Sequence, residues 1–129
     1  MTAQGEYTEV GRLIHRDVGY EGTIWLDGFS SGIQLLPNTH KQPHTRQPDF
    51  FMYDSDLQRI GSFWRGTTRT GGRMLSGEVQ LSGLAMGVLV LPNNLPAIKA
   101  SFQIFARTEN VQQVEYMMSA GMHELSEQF

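Results

Sequence analysis

At 129 residues the chain can bury one sizeable core but not two, and 40% hydrophobic and 18% charged residues with 14 glycines describe a turn-rich folded protein. The absence of cysteine excludes disulfides, thiolate metal sites and cysteine nucleophiles, and a net charge of −3 excludes a protein that coats nucleic acid with its whole surface. The polar start MTAQGEYTEV is unlike a signal peptide and no apolar run reaches the length of a membrane helix, so a cytoplasmic protein without membrane contact is expected.

In chain order, residues 1–5 form a loose leader, and EYTEVGRLIHR from Glu6 to Arg16 reads as a strand in which Gly11 marks a bulge or bend. After a turn at 17–19, Tyr20 to Asp27 alternates, with Tyr20, Gly22, Ile24 and Leu26 on one face and Trp25 on the wetter one. Gly28 to Gly32 reads as a turn and Ile33 to Leu36 as a short strand ended by Pro37 and Asn38. Residues 38–49, with two prolines, two histidines and no apolar anchor, read as a mobile surface loop.

The stretch from Pro48 to Gly77 is the clearest part of the chain. Phe50 to Tyr53 is a strand, 54–56 a turn and Leu57 to Arg65 the returning strand of a hairpin. On that returning strand the face carrying Ile60 and Trp64 is assigned to the core, which leaves Phe63 outside between Arg59 and Arg65. A Gly71-Gly72 turn leads to Arg73–Leu81, with Leu75, Val79 and Leu81 inward. Met86 to Leu91 is a near-continuous apolar run, as in a strand buried on both sides or on an apolar edge. Ala97 to Ala106 predicts another half-buried strand. Between Val111 and Met118 the pattern fits a helix or a strand, with a final strand over the core favoured, and 123–129 is a loose end. About eight short strands predict an all-β fold, a single domain built as an antiparallel sandwich or partly open barrel.

Taken in order, VGRLIH, GYEGTIWLD, QLLPN, PDFFMY, RIGSFWR, GGRMLSGEVQL and IKASFQIFA resemble the small proteins catalogued as domain of unknown function seven-three-six. The resemblance rests on Gly19, Tyr20, Gly22 and Ile24, on Pro37-Asn38 and Pro48-Asp49-Phe50, on Ile60-Gly61 with Trp64, and on Gly72-Arg73 with Leu75-Ser76. It spans residues 10 to 106 and departs from the family at Ser82-Gly83-Leu84, where an aspartate-rich stretch is usual. It implies a small β-fold from proteobacterial plasmids and integrative elements, and no mechanism.

Charge is unevenly spread. Between Leu36 and Leu75, six basic residues oppose three acidic ones, a net +3, while the remainder carries −6. Lys41, Arg46, Arg59, Arg65, Arg69 and Arg73 with Phe63 therefore form the candidate binding face, and Trp25 is a further exposed aromatic. Cations around an aromatic platform suit single-stranded nucleic acid. Exposed aromatics, strand edges and acidic flanks suit a protein partner, from a host or from the mobile element, or a homo-oligomer formed through an edge strand. The acidic net charge places the protein partner ahead. No reaction is indicated: serines are scattered in turns, His40 and His44 are separated by Pro43 with no third ligand, and no cofactor motif occurs. The Gly71-Gly72-Arg73 turn is a candidate phosphate cradle, though Gly-Gly is also a routine hairpin turn.

Overall fold

The structure, a computed structural model, describes residues 6–128, with side chains as far as residue 120. A run of period-two segments must each bury one face, and here eight of them do so by closing on themselves. Strands β1 (Tyr7–His15), β2 (Tyr20–Leu26), β3 (Phe29–Pro37), β4 (Phe50–Asp54), β5 (Arg59–Thr67), β6 (Arg73–Leu81), β7 (Leu84–Pro92) and β8 (Phe102–Arg107) pair antiparallel with their sequence neighbours. β8 returns to β1 through pairs such as Leu13 with Phe102 and Tyr7 with Arg107, so the barrel is closed. The all-β expectation holds, in its closed form. Closure leaves no free edge. An edge-strand dimer therefore has no edge to use.

The interior is filled from inward positions of every strand, including Leu13, Ile24, Leu35, Met52, Val79 and Ile104, as small barrels require. Gly11 does mark a register shift, between Glu9 and Gly11 on the β1–β8 pair. Beside it Glu9 accepts from Arg12 Nε (2.9 Å) and Nη2 (2.8 Å) and from Gln103 Nε2 (2.7 Å), which satisfies the one buried polar side chain among the described residues. The Arg12 hydrogen bonds lead in holding the Glu9 carboxyl below its usual range, against partial burial that pushes it up.

Four expectations are corrected. First, on β5 Phe63 is fully buried and Trp64 is 38% exposed, the reverse of the predicted faces. Phe63 lies opposite Gly77 on β6, and its ring occupies the room that Gly61 and Gly77 leave. A Cβ at Gly77 would lie 2.5 Å from Phe63 Cδ1 and 2.8 Å from Cγ, so the inward site requires glycine on the neighbouring strand. Second, the chain between 108 and 128 is helix α1 (Thr108–Gln128), not a strand. Once β8 has paired with β1 a ninth strand has no partner. A helical face instead buries Val111 and Val114 in the core and leaves Tyr116 74% exposed.

Third, the turn expected at 28–32 shortens to Asp27 and Gly28, because β3 already begins at Phe29, paired with Leu26. Gly28 supplies the positive φ of 77° that so tight a turn needs. Fourth, β8 starts at Phe102, not Ala97, since Asn93 organises the preceding residues as a turn. Its Nδ2 donates to the carbonyls of Ile98 (3.0 Å) and Ala100 (3.1 Å), and its Oδ1 accepts from the Leu95 amide (3.0 Å). On β7 Met86, Val88 and Val90 are buried in the core and Leu84 packs against it, with Leu89 and Leu91 half-buried outside.

The two ends of the barrel differ. At one lie the turns at 27–28, 55–58 and 82–83 and the start of α1, whose Val111 and Val114 join the core and whose Glu115 Oε2 accepts from the Asp27 amide at 2.6 Å. At the other lie the turn at 16–19 and the three longer connections, 38–49, 68–72 and 93–101. That end is open. The leader at 1–5 lies outside the described residues, and α1 carries the backbone through Gln128.

Candidate functional site

The same parity that carries Phe63 into the core carries Arg65, two residues on, to the open mouth, and on β6 it carries Arg73 there ahead of Leu75 and Val79. Arg65 pairs with Leu75, so Arg73 is its diagonal neighbour on the next strand, with Cα atoms about 7–8 Å apart for such a pair. The mouth itself is a cavity of about 440 Å³. Its aromatic wall is Tyr20 of β2, Phe50 of β4 and Phe102 of β8. Tyr20 meets Phe102 edge-on with ring centroids 5.1 Å apart and Phe50 at 6.5 Å. Leu35, Met74, Leu75 and Val90 add to the apolar lining.

Arg65 spans the rim. Its guanidinium carbon lies 5.1 Å from the centroid of the Phe50 ring, and its side chain is 70% exposed. The nearest carboxylate is Asp49, at 3.8 Å from Arg65 Nη1. Asp49 is already engaged: Oδ1 accepts from Lys41 Nζ at 2.6 Å and Oδ2 from the Arg65 amide at 2.9 Å. Burial pushes the Asp49 carboxyl up, but the Lys41 hydrogen bond, the Arg65 amide and the two positive charges outweigh it, and its pKa falls below the ordinary carboxylate value. Arg65 thus has a weak share of one carboxylate. Among the described residues, no ion pair engages Arg73, Arg69 or Arg46.

The connection 38–49 is tied down beside the mouth. Asn38 Nδ2 donates to the Pro48 carbonyl (2.9 Å), the Asn38 and Asp49 backbones pair (2.8 Å), and Trp64 Nε1 donates to the Arg46 carbonyl (2.8 Å). Trp64 therefore works from outside, holding the loop against β5.

The predicted binding residues divide accordingly. Arg46, Arg65, Arg69 and Arg73 belong to strand ends and loops at the open end, and Lys41 joins them with its charge spent on Asp49. Arg59 sits at the opposite end of β5, its guanidinium 3.9 Å from the Phe51 ring centroid. Trp25 is on the outer face of β2 under Arg12, at 5.7 Å. Phe63, offered as a stacking platform, is inside the core. The Gly71 and Gly72 amides are donated to Thr68 O (3.0 Å) and Thr68 Oγ1 (2.9 Å), which removes them from any phosphate cradle. His40 and His44 are exposed, and among the described residues no three ligand-type side chains come together.

Tyr20, Phe50, Phe102, Leu75 and Val90 were not named as site residues from the sequence. Each sits at the open-end terminus of a strand, at or near its last inward position, next to a turn or long connection, and that placement is the signal that finds them.

Compared with known proteins, residues 9–95 match the family model described as Protein of unknown function (DUF736). No curated protein and no solved structure matches the chain.

Proposed function

We propose, for a chain that belongs to the DUF736 family of proteins of unknown function, a non-enzymatic accessory protein of a mobile genetic element that acts in the cytoplasm by binding a protein partner at the open end of its barrel. The observation that carries this reading is the gathering of Arg46, Arg65, Arg69 and Arg73 on strand ends and loops around one mouth, with a single weak share in a carboxylate among them. A surface of this kind attracts an acidic segment and steers its approach. Rim charges of this sort act chiefly on association rate and salt dependence. The partner is a host or element protein that presents such a segment. Single-stranded nucleic acid is the weaker reading, because the aromatic that was to stack bases, Phe63, is fully buried.

The test uses the wild-type chain and the Arg46→Glu/Arg69→Glu variant as baits in host lysate over a range of salt concentrations, with folding of both checked by circular dichroism. Proteins retained by the wild type at low salt and lost by the variant support the proposal. Identical recovery by both baits overturns it. Salt-dependent anisotropy with a labelled single-stranded oligonucleotide, abolished in the same variant, would move the function to nucleic acid.

A further inference from the structure

The mouth holds more than a charged rim. Eight-stranded barrels have interiors just wide enough to be filled by side chains or to hold one small ligand. Here both occur: side chains from Leu13 to Val79 pack the middle and α1 joins the core at one end, while at the other a cavity of about 440 Å³ is left. That is within the roughly 300–1,000 Å³ of small-molecule sites. Its walls are three aromatic rings, with Tyr20 meeting both Phe50 and Phe102, and the side chains of Leu35, Met74, Leu75 and Val90, several of them core residues: Leu35 is 1%, Val90 2% and Phe50 7% exposed.

The polar features are as specific as the apolar ones. Arg65 and Arg73 line the cavity as diagonal neighbours on one face, and like charges so placed repel. Asp49 does not relieve them, since Lys41 holds it at 2.6 Å and the Arg65 guanidinium reaches it only at 3.8 Å. No carboxylate lines the cavity among the described residues. An anionic group between the two guanidiniums would remove the repulsion and form charge-assisted hydrogen bonds.

We propose that the barrel mouth is a binding site for a small amphiphilic acid, with an aromatic or aliphatic body lodged among Tyr20, Phe50, Phe102 and Leu75 and a carboxylate held by Arg65 and Arg73. This goes beyond the protein-binding reading and rests on a different observation, the cavity. An acidic segment of a partner could offer a phenylalanine beside a carboxylate, which is the same chemistry from a second source.

The experiment titrates the full chain with 2-naphthoate, with its neutral counterpart 2-naphthamide, and with a capped peptide bearing one phenylalanine between two aspartates. Amide shifts of Tyr20, Phe50 and Phe102 and calorimetry are read together. The expected result is 2-naphthoate binding at least about tenfold tighter than 2-naphthamide, the effect of one charge-assisted contact. That preference disappears in Arg65→Gln/Arg73→Gln, whose substitutions are on exposed side chains. Leu75→Trp, which fills the cavity, abolishes binding of both compounds. Absence of shifts at the three aromatic residues, equal affinity for the two compounds, or a preference that survives the double variant overturns the proposal. A peptide that binds as tightly as 2-naphthoate overturns the free acid as ligand and assigns the cavity to the partner. Arg46→Glu/Arg69→Glu, the variant that tests partner binding, lowers 2-naphthoate affinity through the field of the rim but leaves the shifts at Tyr20, Phe50 and Phe102 in place at saturation, which keeps the two readings separable.

Discussion

Replacing Phe63 by alanine is the sharpest test of the barrel interior, because Phe63 and Trp64 are adjacent and only one can be inside. Phe63 is fully buried, and the residues beneath its ring are Gly61 and Gly77, which have no side chains to collapse into the space it vacates. Phe63→Ala therefore falls in the upper part of the range for Phe→Ala changes, about 4–5 kcal/mol. Trp64 is 38% exposed and makes one hydrogen bond, to the Arg46 carbonyl. Its loss costs the net value of that bond and part of an apolar burial, about 1–2 kcal/mol. For a domain of this size 1 kcal/mol moves Tm by about 3–4 °C, so Phe63→Ala should melt about 12–20 °C below wild type and Trp64→Ala about 3–8 °C below. Thermal and guanidinium unfolding followed by circular dichroism measure both, with an unchanged denaturant slope confirming a stability effect. If Trp64→Ala is as destabilising as Phe63→Ala, the assignment of faces on β5 is wrong and the location of Arg65 at the mouth falls with it.

The same packing predicts that Gly77→Ala, harmless by propensity, costs about 2–3 kcal/mol, since the added methyl overlaps the Phe63 ring and the Ser62 carbonyl; a denaturant midpoint equal to wild type would refute the close approach. The Asp49 carboxyl, held below its ordinary value chiefly by Lys41 against the opposing effect of burial, stabilises the fold above the unfolded carboxylate value of about 4, and that contribution is lost as pH falls through the lower folded value. Asp49→Asn should accordingly lower stability at pH 7 by about 1–3 kcal/mol and narrow its difference from wild type as pH drops from 5 to 2. An Asn variant whose deficit is constant across that range would show that Asp49 contributes by shape and not by charge.

The period-two alternation of Tyr20–Leu26 and Arg73–Leu81 made both strands and their inward faces legible from the chain alone, because on each the aliphatic residues Ile24 and Leu26, or Leu75, Val79 and Leu81, share one face. The bulge at Gly11 was legible for a similar reason: a glycine interrupts a run of β-formers. On β5 both faces carry a large aromatic, Phe63 on one and Trp64 on the other, and hydrophobicity could not choose between them. The deciding fact, Gly77 directly across the pair, belongs to another strand. Between Val111 and Met118 local pattern permitted two periods, and closure of β8 onto β1 removed one by removing the edge a strand would need.

The basic residues were visible as a charge excess, but their grouping was not. Arg59 and Arg65 are six positions apart on one strand and lie at opposite ends of the barrel, whereas Arg46, Arg65 and Arg73 come together from different elements. Composition determined that this chain is a small β-domain with a basic segment. Tertiary structure decided which end is open and which cations stand there, because distance along a chain sets neither the partner across a sheet nor the end of a barrel at which a strand finishes.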